Sequence, residues 1–421
     1  MFERSALPEG PRVITAPLAG ARSVSVAVYV LAGSRAEGEG DVGAAHFMEH
    51  LTFKGTAAYP SSRAVSEALE GIGGTFNAAT DRESTVYWAK VPRRELRRAV
   101  GVLADLVVRP LLRDVDIAGE RGIIVEEIRS YRDDPVELVF TLFDQAVFGD
   151  TPLGREIAGD EASVERLPVA ALRDFWARAY RPANCVVAAA GEISHAETLD
   201  LVSSAFGRGN GVRPAFAPAP PLPAPERIRV VERDTAQAQL CVGVPGLRRD
   251  DPDAWTLELL SAVLGEGMSS RLFLRVREEL GLAYDVHSFL SGYADCGSLG
   301  VGAGVDPDDL APALGAILAE LARLRDEPVP ASELAKARAF TAGRLELRLD
   351  ETQHLASWIG NQEALHEEVL TLDQALAHIE AVSAEGIQSL AGRLFADDRL
   401  ALAVVASPGS TRGLDAVLRL P

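Results

Sequence analysis

From Ser23 to Leu31 the chain reads SVSVAVYVL, with valine at every second position and serine, alanine and tyrosine between. A period of two sends alternate side chains to opposite faces of an extended chain, so this segment predicts a strand with one buried face. Its β-branched content agrees. Ser61 to Leu69 predicts a helix, Thr75 to Val91 (TFNAATDRESTVYWAKV) a return to strand, and Arg94 to Val108 and Asp114 to Tyr131 two more helices. Asp114 suits the N-cap of the last, because a short carboxylate can accept from the free N–H groups of a first turn. Cys185 to Ala190 (CVVAAA), ended by Gly191, predicts a fully buried strand.

Between Arg213 and Pro225 the pattern stops. RPAFAPAPPLPAP places six prolines in thirteen residues, a composition that supplies too few N–H donors for a helix interior or a central strand. Beyond it the first pattern returns in outline. Strands are predicted at Ile228 to Val231, Gln239 to Val244 and within Tyr284 to Val305, and helices at Trp255 to Leu264 and Leu310 to Leu324. The segment Asp306 to Glu327 parallels Arg94 to Val108 in position and periodicity. These alternations predict an α+β protein of two similar domains, each an antiparallel β-sheet covered on one face by helices. The domains are expected at residues 1–212 and 227–421, joined by a proline-rich linker at 213–226.

A chain of 421 residues exceeds one ordinary core, which agrees with two domains. Composition, 47% apolar and 24% charged, is that of a folded globular protein. The formal net charge of −19 argues against nucleic acid as a partner, since binding phosphates takes a concentrated basic face. Cys185, Cys241 and Cys296 lack CxxC spacing and read as core residues in a reducing compartment. Neither a leader pattern nor a run of about 20 apolar residues is evident, so a cytoplasmic, non-membrane location is expected.

One short segment carries chemistry. GAAHFMEHLTF, Gly43 to Phe53, holds two of the chain's seven histidines four residues apart with a glutamate between them. On a helix, His46 and His50 project from one face a turn apart and can aim both rings at one metal ion, with Glu49 beside them. Two histidines leave a catalytic zinc site short of a ligand. The helix predicted from Asp114 offers Glu120 and Glu127, two turns apart on one face, while Ile117, Ile124 and Ile128 turn it inward. Acids near such a core need a partner, and a divalent cation would be one.

His46-Phe-Met-Glu49-His50 resembles the inverted zinc signature of the inverzincin peptidases, the family of pitrilysin, insulin-degrading enzyme and the mitochondrial processing peptidase. In many members 76 residues separate the second histidine from a glutamate ligand. Here residues 51 to 126 make up that interval and Glu127 follows. FKGT from Phe53, GGTFNAATDRESTVYW from Gly73, ERGIIVEEI from Glu120, YRPANCVVAAAGEISH from Tyr180 and GMSSRLFLRVREELGLAY from Gly267 also look like family segments. The resemblance covers nearly the whole chain, in the short bacterial form.

The resemblance implies a zinc-dependent endopeptidase with a processing-peptidase-like duplicated fold and one Zn2+ per chain, held by His46, His50 and Glu127. Glu49 would be the general base that activates the water, and Glu120 an acid orienting a ligand. Arg277 and Tyr284, seven residues apart, would stabilise the oxyanion of the tetrahedral intermediate. Phe76, Asn77 and Ala78 would pair with the main chain of a peptide or unfolded segment bound as a strand in an enclosed chamber. The family forms homodimers, and heterodimers in which each chain has lost one residue set. Because this chain keeps both sets, a homodimer is expected. The alternative is a non-catalytic peptide-binding or partner subunit of a heterodimeric peptidase, for which Glu49 would be superfluous. A metal-binding regulator is a third reading, without a predicted effector module to support it.

Overall fold

The computed structural model describes residues 2–207 and 224–421. Residues 213–223, most of the expected linker, lie outside the described residues. The chain forms two compact units that differ from contiguous halves. One comprises Met1–Arg129, Glu156–Ala217 and Glu346–Thr371; the other comprises Ser130–Arg155, Pro218–Leu345 and Leu372–Pro421. Each half of the chain thus contributes a helix to the unit built mainly by the other, Pro135–Phe148 to the second and Thr352–Leu365 to the first.

The first unit holds a six-stranded sheet of β1 (Glu3–Ala6), β2 (Arg12–Pro17), β3 (Ser23–Val30), β4 (Thr75–Thr80), β5 (Thr85–Pro92) and β6 (Cys185–Gly191), in the order β1-β2-β6-β3-β5-β4. The second holds β7 (Ile228–Glu232), β8 (Ala238–Pro245), β9 (Ala283–Gly292), β10 (Gly297–Val305) and β11 (Ala401–Ala406), in the order β7-β11-β8-β10-β9. Setting β1 aside, the orders are the same when strands are counted along each half. The duplicated α+β fold expected from the sequence is therefore present. The sheets are mixed, however: β2 pairs parallel with β6, and β7 parallel with β11. The expected single strand from Thr75 to Val91 is a hairpin, turned at residues 81–84.

The sheets are also covered on both faces, where one was expected. Val24, Val26, Val28 and Val30 of β3 enter a core with helices Ala44–Thr52 and Leu96–Val108. Ala27, Tyr29 and Leu31 meet Ala356 and Ile359 of helix Thr352–Leu365 on the opposite face. That helix hides the small polar residues that made the strand read as half exposed. Ser25 is buried against Thr352, its hydroxyl 3.0 Å from the threonine oxygen. Its other end is pinned by Glu363, 4% exposed, which pairs with Arg12 at 2.9 Å and with Arg4. A buried carboxylate with these partners avoids the cost of an unpaired charge. In the second unit, Phe143, Ala146 and Val147 of helix Pro135–Phe148 lie against Cys241, Ala403 and Val405 in the corresponding way.

Candidate metal centre

Helix Ala44–Thr52 follows β3. Gly43 begins it at φ +89°, and a Cβ there would stand 2.8 Å from the Ala158 carbonyl, so both conformation and space call for glycine. The Glu37 carboxylate accepts from the N–H groups of Gly43 and Ala45 at 2.9 and 2.8 Å. A negative charge there satisfies free donors and complements the positive end of the helix. Ala44, Ala45, Phe47, Met48, Leu51 and Thr52 are buried, and His46, itself buried, shares the remaining face with the half-buried Glu49 and His50.

Helix Asp114–Asp133 brings the carboxylates. Asp114 lies inside its first turn and not at the cap: the N–H of Ile117 reaches the carbonyl of Arg113, and the Asp114 side chain binds Arg173 at 2.6 Å. Ile117, Ile124, Val125 and Ile128 bury the inner face. Arg121 reaches the carbonyls of Val164 and Leu167 and stands 5.6 Å over the ring of Phe47, tying the two helices together.

The result is a cluster of His46, His50 and Glu127 whose ligand atoms all lie within 4.8 Å of one another. His46 Nε2 faces one oxygen of Glu127 at 3.6 Å and His50 Nε2 faces the other at 3.4 Å. Two ligands of one tetrahedral zinc stand about 3.3 Å apart, given metal–ligand bonds of roughly 2.0–2.1 Å. Two imidazoles and a carboxylate are also a zinc donor set. The residues present fit the metal.

Around them lies a second layer. Glu120, 4% exposed, binds His50 Nδ1 at 3.0 Å and pairs through its other oxygen with Lys54. This fixes the His50 ring and leaves Nε2 for the metal, as a carboxylate behind a metal-ligating histidine commonly does. In the metal-free chain, burial works against a charged His50, yet hydrogen bonds and charge from Glu120 and Glu127 outweigh it and raise its pKa to about 9. Burial would push the Glu120 carboxyl up, but its bonds to His50 and Lys54 hold it below the usual range. Glu49 receives a hydrogen bond of 2.5 Å on Oε2 from the Thr80 hydroxyl.

The strand Thr75–Thr80 pairs on one side with β5 and ends the sheet on the other. Phe76 is half-buried, Asn77 exposed and Ala78 buried, and the Asn77 side-chain oxygen accepts from the Ala78 N–H at 2.9 Å. Arg277 and Tyr284 belong to the second unit and meet each other there. Arg277 donates to the Tyr284 carbonyl at 2.8 Å, and its guanidinium stands 4.9 Å from the Phe273 ring centre and 4.8 Å from that of Tyr284, which is 75% exposed. Arg277 lies on a π-helical segment, Phe273–Glu279, a widened turn frequent at functional sites.

Residues 12–161 match the family model described as insulinase, peptidase family M16, and residues 166–340 match that of the peptidase M16 inactive domain. The chain is 37% identical over 395 residues to an uncharacterized zinc protease of Streptomyces coelicolor, across 92% of this chain and 86% of that protein. The chain belongs to peptidase family M16.

Two solved structures are similar to this M16 chain in fold. One, a protease from Helicobacter pylori, has a TM-score of 0.90 at 22% identity and covers 96% of this chain and 99% of its own. The other, described as a peptidase M16 inactive domain from Pseudomonas fluorescens, has a TM-score of 0.88 at 21% identity and covers 97% and 98%. M16 membership gives the peptidase kind, and the zinc in its relatives' names agrees with the donor set found above. Lys54, Thr80 and Glu37 are the residues that sequence reasoning left without a role. Lys54 and Thr80 lie inside segments already singled out, FKGT and TFNAATDREST, but a hydroxyl or an amine in a strand or turn carries no sign of what it will meet.

Proposed function

We propose that this M16 chain is a zinc-dependent endopeptidase acting on peptides or unfolded segments that bind as extended strands. The convergence of His46, His50 and Glu127 on one point, with Glu49 in the same helical turn, carries the reading. These three residues would hold one zinc ion per chain. When bound, zinc supplies Lewis-acid polarisation and lowers the pKa of water.

Glu49 takes a proton from the attacking water and returns it to the leaving amine, so one carboxylate serves as base and then as acid. Glu120 holds the His50 ring, and Lys54 keeps Glu120 charged. The exposed edge of β4, with Phe76, Asn77 and Ala78, pairs with the peptide main chain and so tolerates varied side chains. Arg277 and Tyr284 donate to the oxyanion as charge develops on the scissile carbonyl. In this reading the working form is a cytoplasmic homodimer. Among the described residues, no helix is long and apolar enough to cross a membrane.

A second reading, a non-catalytic peptide-binding subunit, draws on the inactive-domain match over residues 166–340. The two separate on Glu49. Purified protein is given quenched, unstructured peptides beside Glu49→Gln, with bound zinc measured in both. The peptidase reading expects cleavage that falls by roughly a hundred- to ten-thousandfold in the variant while zinc stays bound. Equal rates, or no cleavage by a folded, zinc-loaded wild type, would move the assignment to the binding subunit.

A further inference from the structure

We propose that Thr80 is a positioning residue for the base: its hydroxyl holds one oxygen of Glu49, leaving the other to carry the proton. The proposal rests on the peptidase reading above. Phe76, Ala78 and Thr80 share one face of β4, and the first two pack into the core that holds helix Ala44–Thr52. The third position of that inward row is polar. Its hydroxyl donates to Glu49 Oε2 at 2.5 Å.

The donor is held from three sides. Thr80 pairs with Thr85 across the hairpin, and the buried Thr85 hydroxyl is fixed to the Ala32 carbonyl at 3.0 Å. The turn that follows is clamped by bonds from Ser34 N–H to Asp81 and from Arg35 N–H to Arg82, at 3.2 and 2.8 Å. Gly33 permits that approach, since a Cβ there would overlap the Asp81 carbonyl. Arg35 also pairs with Glu83 at 2.6 Å. A free glutamate on a helix face samples several rotamers, and fixing one oxygen with a rigid donor removes that freedom before substrate arrives. The strand proposed to receive the peptide also carries this donor, so peptide and base share one frame.

Thr80→Val keeps the β-branched shape and removes only the donor, while Thr80→Ser keeps the donor. The variants are compared with wild type and Glu49→Gln for kcat, KM and bound zinc. Thr80→Val is expected to lose roughly ten- to a hundredfold in kcat, as befits a hydrogen bond to a charged group, with KM and zinc content unchanged. Thr80→Ser is expected to recover most of the loss. Three results would overturn the proposal: full kcat in Thr80→Val, an equal loss in Thr80→Ser, or a loss explained by departed zinc or raised KM. Wild type that cuts no peptide would sink the peptidase reading and this proposal together, whereas cleavage that needs Glu49 but ignores Thr80 would sink the proposal alone. In crystals of the zinc-loaded protein the Thr80 hydroxyl should stay within bonding reach of Glu49, and a gap above about 3.5 Å to both oxygens would overturn it independently of any rate.

Discussion

The two halves of the chain share a strand order and, to a large extent, a helix plan, yet the residues at matching places differ. After β3 comes helix Ala44–Thr52 with His46, Glu49 and His50 on one face; after β8 comes helix Ala254–Gly265, in which every residue from Leu259 to Gly265 is buried and only Ser261 is polar. Helix Asp114–Asp133 has its counterpart in Ala331–Leu349. Counted from each start, Ile117 falls on Leu334, both buried, while Glu120 falls on Ala337 and Glu127 on Arg344. Arg344 pairs with Glu266 at 3.2 Å. Of the buried apolar positions, Ile117, Val125 and Ile128 fall on the apolar Leu334, Ala342 and Leu345 while Ile124 falls on Thr341, and five polar side chains on two helices separate a metal centre from a plain core. A fold of this kind is a frame, and its chemistry is decided by a few residues on its inner faces.

The comparison breaks most sharply if the ligands are removed from the first half. His50→Ala, or treatment with a chelator, should abolish zinc binding and lower cleavage by on the order of a thousandfold, the several kcal/mol that a metal supplies to a transition state. Metal analysis and peptide assays check it, and re-addition of zinc should restore only the chelated wild type. In the second half, Arg277→Ala should cost roughly a hundred- to a thousandfold in kcat with bound zinc unchanged. Retention of full activity would remove the second half from the chemistry.

Smaller effects sharpen the contrast at matched positions. Glu120→Gln leaves His50 less firmly oriented and Lys54 without its charge partner, so zinc affinity should fall by roughly ten- to a hundredfold in competition titrations. Full affinity in that variant would reduce Glu120 to a buried structural acid. The smallest effect is a pH dependence of the metal-free protein. Because the folded His50 pKa is about 9 and the ordinary value is 6.5, its proton stabilises the folded state fully below pH 6.5. That contribution is lost as pH rises toward and through 9. The urea midpoint of chelated protein should therefore fall across this range, while zinc binding tightens as the competing proton leaves. A midpoint flat from pH 6.5 to 9 would count against the Glu120 and Glu127 contacts with His50.

By itself, the sequence determined what rests on local periodicity. Most strands, five helices flanking them and the duplication follow from patterns that act over a few residues, and the co-facial pair His46 and His50 follows from the pitch of one helix. Strands Glu3–Ala6, Arg12–Pro17 and Ala401–Ala406 and the remaining helices were not anticipated. Helical spacing offered Glu120 and Glu127 together, and only the family interval singled out Glu127 as the third ligand, because a gap of 76 residues carries no distance in space. Tertiary structure decided the rest. Which sheet helices Pro135–Phe148 and Thr352–Leu365 cover was decided there, each joining the unit built mainly by the other half of the chain. That exchange buried Ser25 and turned a strand read as half exposed into a central one. Lys54, Thr80 and Glu37 are polar side chains whose partners lie elsewhere in the chain, with Glu120, Glu49 and the start of a helix. Hydrogen bonds of this sort depend on positions fixed to within about an ångström, and such positions exist only once the core has packed.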